Sequence, residues 1–170
     1  MNSPTESDKP CSSAMRDRCE LDENLEILRN VPAFSAIPLQ NLRLYAYLSR
    51  RRCYRAGEFL FHQGDMDDCG YIVVSGTARV LRELKDCSIF LNELKEGEFF
   101  GGLALFSDIR RLFSVRAVTD VECLTLDRES FRRMLLQFPD VSLKVLDIMI
   151  KRIVQMEEKL FQACPDVCML

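Results

Sequence analysis

The chain lacks the features that would place it in several broad classes. No apolar run reaches the roughly 18 residues that a membrane-spanning helix requires, and the N-terminus has no apolar core of the kind a signal peptide carries. Position 2 is Asn2 rather than glycine, and Cys168 stands one place too late for a prenylation box, so neither lipid-anchor signal is present. A single histidine, His62, would have to serve any Ser-His-Asp or Cys-His set, and it lies in a strand-like stretch before a tight turn, where a structural role is expected. Positive charge is not in excess. The formal net charge of −3 and a pI near 5.3 leave no diffuse field of the kind that non-specific nucleic-acid binding draws on. Proline is absent between Leu39 and Phe138, as a continuous sheet prefers.

What is present describes one ordinary globular domain. The 170 residues are 48% apolar and 29% charged, enough to bury a core without a disulfide or metal staple. Eight cysteines fall below the density of a disulfide scaffold. With no sign of an oxidising compartment they are expected to be reduced thiols in a cytoplasmic protein, most of them acting as small buried hydrophobes. Cys164 and Cys168 have no matching pair or nearby histidine to complete a zinc site, so no metal is expected.

Residues 1–20 are rich in Ser, Pro, Thr and charge and are expected to form a tail, with a domain over 21–161 and a second short tail over 162–170. From Leu21 to Leu48 apolar residues recur at helical spacing in two pieces, broken by Pro32 and Pro38. All seven glycines then fall between Gly57 and Gly102. Short stretches of strand character lie between or just beyond them: Glu58 to His62, Tyr71 to Val74, Thr77 to Leu81, Ser88 to Leu91, Ser114 to Ala117 and Glu122 to Leu126. Helical periodicity returns over Glu129 to Phe138 and, beyond Pro139, runs to about Phe161. In that last helix Leu143, Leu146, Ile150, Ile153 and Leu160 take a and d heptad positions, with Glu157 in the remaining one. The stripe fits a dimer seam and equally fits packing on the protein's own body.

Two segments point to a function. In Tyr54-Arg-Ala-Gly-Glu-Phe-Leu-Phe-His-Gln-Gly-Asp65 the glycines Gly57 and Gly64 suit turns with positive φ, and Asp65 can accept from turn amides; Gly70-Tyr-Ile-Val-Val-Ser-Gly76 follows with a hairpin glycine. The second is Leu94-Lys-Glu-Gly-Glu-Phe-Phe-Gly-Gly-Leu-Ala-Leu105, then Arg111 and Ser114-Val-Arg-Ala117. Gly101 and Gly102 open a short helical turn where backbone amides can approach an anion, and the Arg111 guanidinium can grip two phosphate oxygens. Together these segments resemble the cyclic-nucleotide-binding domain, and the second is similar to its phosphate-binding cassette.

The resemblance implies a mainly β α+β fold, a jelly-roll-like antiparallel barrel flanked by N-terminal helices and a long C-terminal helix. It implies a non-catalytic module with no cofactor, taking cAMP or cGMP as ligand through Gly101, Gly102, Leu103, Ala104, Arg111, Leu112 and Ser114. The last helix would cover the base and carry the signal to another protein chain; Arg152, Gln155 and Met156 are candidates to meet the base, with a solvent-facing or packing role the stronger expectation for each.

The departures from the family pattern concern the ligand. Gly102 stands where the family usually has a glutamate for the ribose 2′-hydroxyl; a lost bond of that kind costs about 1.5–3 kcal/mol. Leu112 and Phe113 replace two small residues, and their bulk is expected to fill the phosphate pocket. Ser114 is open to two roles, a hydroxyl for the ligand or an ordinary strand residue. Arg50, Arg51, Arg52 and Arg55, like Arg132 and Arg133, read as solvated charge. The family's DNA-binding members need a further domain after the long helix where only Gln162 to Leu170 follow here, so neither DNA nor membrane is expected as a partner. The alternative function is an interaction or dimerisation module that has kept the fold and lost the nucleotide.

Overall fold

Eight antiparallel strands, divided between two stacked sheets, carry the middle of the chain in a computed structural model that describes residues 17–85 and 87–163. α1 (Asp17–Arg29), a one-turn 3-10 helix (Pro32–Phe34) and α2 (Leu39–Leu48) lead into β1 (Arg50–Tyr54), β2 (Phe59–Phe61), β3 (Cys69–Ser75), β4 (Ala78–Glu83), β5 (Ser88–Leu94) and β6 (Phe99–Phe100). A single turn, α3 (Leu103–Phe106), precedes β7 (Ser114–Ala117) and β8 (Val121–Asp127), and the chain ends in α4 (Arg128–Gln137) and α5 (Pro139–Ala163). One sheet has the order β1-β8-β3-β6 and the other β2-β7-β4-β5. The expected barrel is thus a two-sheet jelly-roll-like sandwich rather than one closed ring.

The alternation of side chains along β3 and β8 separates two cores. Cys69, Tyr71, Val73 and Cys123 face the opposite sheet and join Phe61, Val80, Phe100 and Val115 between the layers. Ile72, Leu124 and Leu126 face outward and meet the helices through Leu28, Phe34, Tyr45, Phe131, Met134 and Val141. α4 starts where Asp127 caps it, its carboxylate accepting from the Ser130 amide at 2.8 Å.

The turn glycines behave as their positions require. Gly57, Gly64 and Gly76 have φ of 91°, 92° and 86°. Asp65 accepts from the His62 amide at 2.7 Å, closing the turn after β2. Gly70 has another purpose: a Cβ there would lie 2.8 Å from Leu105 Cδ1 and 2.9 Å from Phe99 Cε2, so its absence lets α3 dock on β3.

The basic run before the first expected strand is a strand itself, and it is not a uniformly solvated face. Arg51, with its side chain 14% exposed, donates to Asn24 at 2.8 Å, Glu122 at 3.0 Å and Glu23 at 2.8 Å, and so ties α1 to the sheet. Among the described cysteines Cys69 and Cys123 are buried, and burial pushes both thiols up to about 12; Cys53 and Cys87 are exposed. Cys164 and Cys168 lie outside the described residues, as does the N-terminal tail up to residue 16.

Candidate functional site

Arg111 is the centre of the cassette and is 6% exposed. It follows the loop after α3, and its backbone is pinned across the turn: the Arg111 amide donates to Asp65 O at 2.9 Å and its carbonyl accepts from the Gly64 amide at 2.8 Å. Its guanidinium lies over Phe61, 4.2 Å from the ring centroid, and 5.5 Å from that of Tyr71. Nη1 donates to Gly101 O at 2.9 Å, while Nη2 donates to Asp67 Oδ2 at 2.5 Å and to Cys69 O at 2.6 Å. Nε is buried with no hydrogen-bond partner, alone in this among the side-chain polar atoms of the described residues.

Asp67 is the counter-ion that sequence reasoning missed. Its Oδ2 also accepts from the Tyr71 hydroxyl at 2.7 Å and its Oδ1 from the Cys69 amide at 2.9 Å. Burial acts to raise the Asp67 carboxyl, but the bonds from Arg111 and Tyr71 and the nearby positive charge outweigh it and hold the group below its ordinary range. Burial raises the Tyr71 hydroxyl strongly, and the Asp67 charge adds to it. The signal that could have found Asp67 is the acidic run before β3. A lone arginine entering an apolar sheet has to be paired, and that run is the nearest motif able to do it.

The glycine turn is built as the spacing suggested. Gly101 has φ +73°, and a Cβ there would meet Arg111 Nη1 at 2.8 Å, so glycine is what allows the arginine to close on the backbone. Gly102 precedes α3, with its added Cβ 2.7 Å from Phe99 Cε1. The Ala104 amide, expected to face a ligand, is spent on Gly101 O at 3.2 Å within the turn. Ala104 is buried and Leu103 is 44% exposed.

The two bulky residues after Arg111 part company. Phe113 turns inward against the core and lies 6.2 Å from Phe61 between ring centroids, whereas Leu112 is 52% exposed and fills nothing. Ser114 is fully buried and is neither idle nor aimed at open space: its hydroxyl donates to Glu83 and accepts from the Gln63 amide at 2.8 Å. Gln63 in turn clasps the backbone of Glu83. His62 stacks on Phe59 with centroids 4.1 Å apart, a structural placement.

Behind the cassette, Gly102, Phe99 and Phe106 share an apolar cavity of about 310 Å3 with Phe131 and with Val145 and Ile148 of α5. Val141 and Val145 are the face by which α5 packs on the body. Leu143, Leu146 and Ile150 of the heptad stripe point away from it, 67%, 56% and 51% exposed, so packing on the chain's own sandwich does not account for them. The side chains of Ile153, Glu157 and Leu160, and of Arg152, Gln155 and Met156, lie outside the described residues.

This fold and cassette match a known family: the model for the "Cyclic nucleotide-binding domain" covers residues 51–138. The chain belongs to the cyclic nucleotide-binding domain family. It is 31% identical over 119 residues to a cGMP-dependent protein kinase, isozyme 1, of Drosophila melanogaster, a match spanning 68% of this chain and 16% of the kinase. A cyclic AMP receptor protein of Thermus thermophilus is 30% identical over 127 residues, spanning 74% of this chain and 59% of that protein. The chain therefore spans less than two thirds of either relative. The crystal structure of the Thermus thermophilus catabolite activator protein superposes with a TM-score of 0.70 at 29% identity, over 78% of this chain and 62% of that one. Among the described residues no helix is long and apolar enough to cross a membrane.

Proposed function

We propose that this domain is a non-catalytic, cytoplasmic regulatory module that senses a cyclic purine mononucleotide, cAMP or cGMP, at the cassette from Gly101 to Ser114 and signals to another protein chain through α5. The observation that carries the reading is the Nε of Arg111. A buried N–H without an acceptor costs about 1–3 kcal/mol, and an anionic oxygen entering beside Gly101 would supply the acceptor. Asp67 and Cys69 O take the donors of Nη2 and Gly101 O one of Nη1, while Nε has no acceptor. The two curated relatives, one named for cAMP and one for cGMP, support the same ligand class. The cavity shared by α3 and α5 supports the route of the signal, since a ligand that repositions α3 changes what α5 packs against. It shifts α5 only by as much as it binds one arrangement better than the other.

Affinity is expected to be reduced. Gly102 offers no side chain to the ribose, Phe113 takes up interior space, and Asp67 competes for the arginine. Calorimetric titration with cAMP and cGMP should give saturable binding in the micromolar range that disappears in Arg111→Ala, with thermal melting used to confirm that the variant is folded.

A second reading is favoured by the exposed stripe on α5. An uncovered apolar row is expected to seat a partner helix, most simply that of a second copy. Absence of nucleotide binding up to millimolar ligand, with a dimer that Leu143→Ala and Ile150→Ala together dissociate, would favour this interaction module over the sensor.

A further inference from the structure

The basic run on β1 leaves two guanidinium groups that no carboxylate among the described residues pairs with. Arg51 is consumed by Asn24, Glu122 and Glu23. Arg50 and Arg52, two positions apart on the strand, project from its other face, and among the described residues neither forms an ion pair. Arg52 is half-buried, and its acceptors are both uncharged: the Tyr54 hydroxyl and, at 3.9 Å from Nη2, the Cys69 sulfur, a weak acceptor for a charged donor.

Both arginines open on a polar cavity of about 500 Å3 at the start of α4, which Asp68 and Cys69 line and Arg111 does not. Three arginines and three carboxylates line it, so its formal charge is balanced. The carboxylates are engaged. Asp127 caps the Ser130 amide and hydroxyl, Glu129 is paired with Arg133, and Asp68 accepts from the Cys69 thiol. Arg50 and Arg52 have no carboxylate partner among the described residues, and the two acceptors of Arg52, Tyr54 and the Cys69 sulfur, leave its charge uncompensated. A half-buried guanidinium facing an open polar cavity is a built half of an oxyanion site, and the volume suits a small organic molecule rather than a bare ion. Balanced charge excludes a polyanion held by a general positive field.

We infer that this cavity is a second ligand site, in which Arg52, assisted by Arg50, receives the phosphate or carboxylate group of a small organic anion. The inference does not rest on the cassette binding a nucleotide.

The test is a titration of the isotope-labelled chain with phenyl phosphate and, separately, with benzoate at constant ionic strength, followed in two-dimensional amide spectra. Saturable shifts centred on the amides of Asp68, Cys69 and Ser130 are expected with at least one probe, and the tighter of the two identifies the oxyanion. Arg52→Gln should weaken that binding about tenfold or more, the loss of a charge-assisted pair. Arg52→Lys, which keeps the charge and the fold but cannot offer two parallel bonds, should weaken it several-fold. Shifts confined to Gly101–Ala104, shifts that never saturate, no shifts with either probe, or equal affinity in the Arg52 variants would each overturn the inference.

Discussion

Replacing Asp67 by asparagine separates what the cassette needs for folding from what it needs for a ligand. The carboxylate has a side chain 16% exposed, sits 2.5 Å from a guanidinium that is 5% exposed, and accepts two further bonds, from Tyr71 and the Cys69 amide. Asparagine keeps the shape and one acceptor oxygen but removes the charge. Breaking a buried pair outright costs roughly 3–5 kcal/mol; retaining one neutral bond should limit the loss to about 2 kcal/mol. For a chain of this size that lowers the melting temperature by roughly 4–8 °C. The same change leaves Arg111 with an uncompensated charge, so an entering phosphate no longer has to compete with a carboxylate. A charge-assisted bond to arginine is worth about 1.5–3 kcal/mol, so nucleotide affinity should rise by roughly one to two orders of magnitude. Stability and affinity thus move in opposite directions. Differential scanning fluorimetry and calorimetric titration on the same preparation read both. A variant that loses affinity along with stability would refute the reasoning, because Asp67 would then orient the arginine rather than occupy it.

The Asp67 carboxyl is held below its ordinary value near 3.8, so the stability it confers is present above that pH and is lost as pH falls through the folded value; the melting-temperature gap between wild type and Asp67→Asn should narrow on acidification from about pH 5 towards pH 2. Gly76→Ala should be among the most damaging single changes, since φ is +86° and the new Cβ would lie 2.1 Å from Asp120 O; a loss above about 2 kcal/mol in urea unfolding is expected, and a near-neutral result would contradict the hairpin geometry. Gly102→Glu alone should destabilise the domain by about 1–3 kcal/mol without improving nucleotide binding, because its Cβ meets Phe99; paired with Phe99→Ala it should gain roughly tenfold in affinity over Phe99→Ala alone.

The strands legible in the sequence were those bounded by turn glycines and carried by β-branched or aromatic residues. Ser114–Ala117 agrees with the expectation, β3, β5 and β8 extend it by a residue or more, and β4 starts one residue later than expected and runs two further. β1 was missed because Arg50-Arg51-Arg52 has the composition of a solvated loop; only the antiparallel pairing with β8, with Glu23 and Glu122 taking the charge of Arg51, turns that run into an edge strand. β6 is Phe99–Phe100 alone, too short to show a period. On α5 the periodicity was real, but two apolar rows interleave. The packing row is Val141, Val145 and Ile148, and the described heptad residues, Leu143, Leu146 and Ile150, are turned outward.

The site was legible in its backbone and its arginine and illegible in its occupancy. Gly101, Gly102 and Arg111 are brought together as the spacing implied, because the need for positive φ and for close approach is written in single residues. What fills the space around them depends on contacts that no window of sequence contains. Asp67 reaches Arg111 across 44 positions, Glu83 reaches Ser114 across 31, and the ring of Phe99 occupies the space into which a side chain at position 102 would grow. These three are coupled departures rather than independent losses. A glutamate restored at 102 meets Phe99, and an anion brought to Arg111 meets Asp67 already bound there. The ribose contact can therefore be recovered only by changing 99 and 102 together, whereas the phosphate contact gains from a change at 67 alone, and double-mutant cycles at 67 with 111 and at 99 with 102 should show non-additive nucleotide binding.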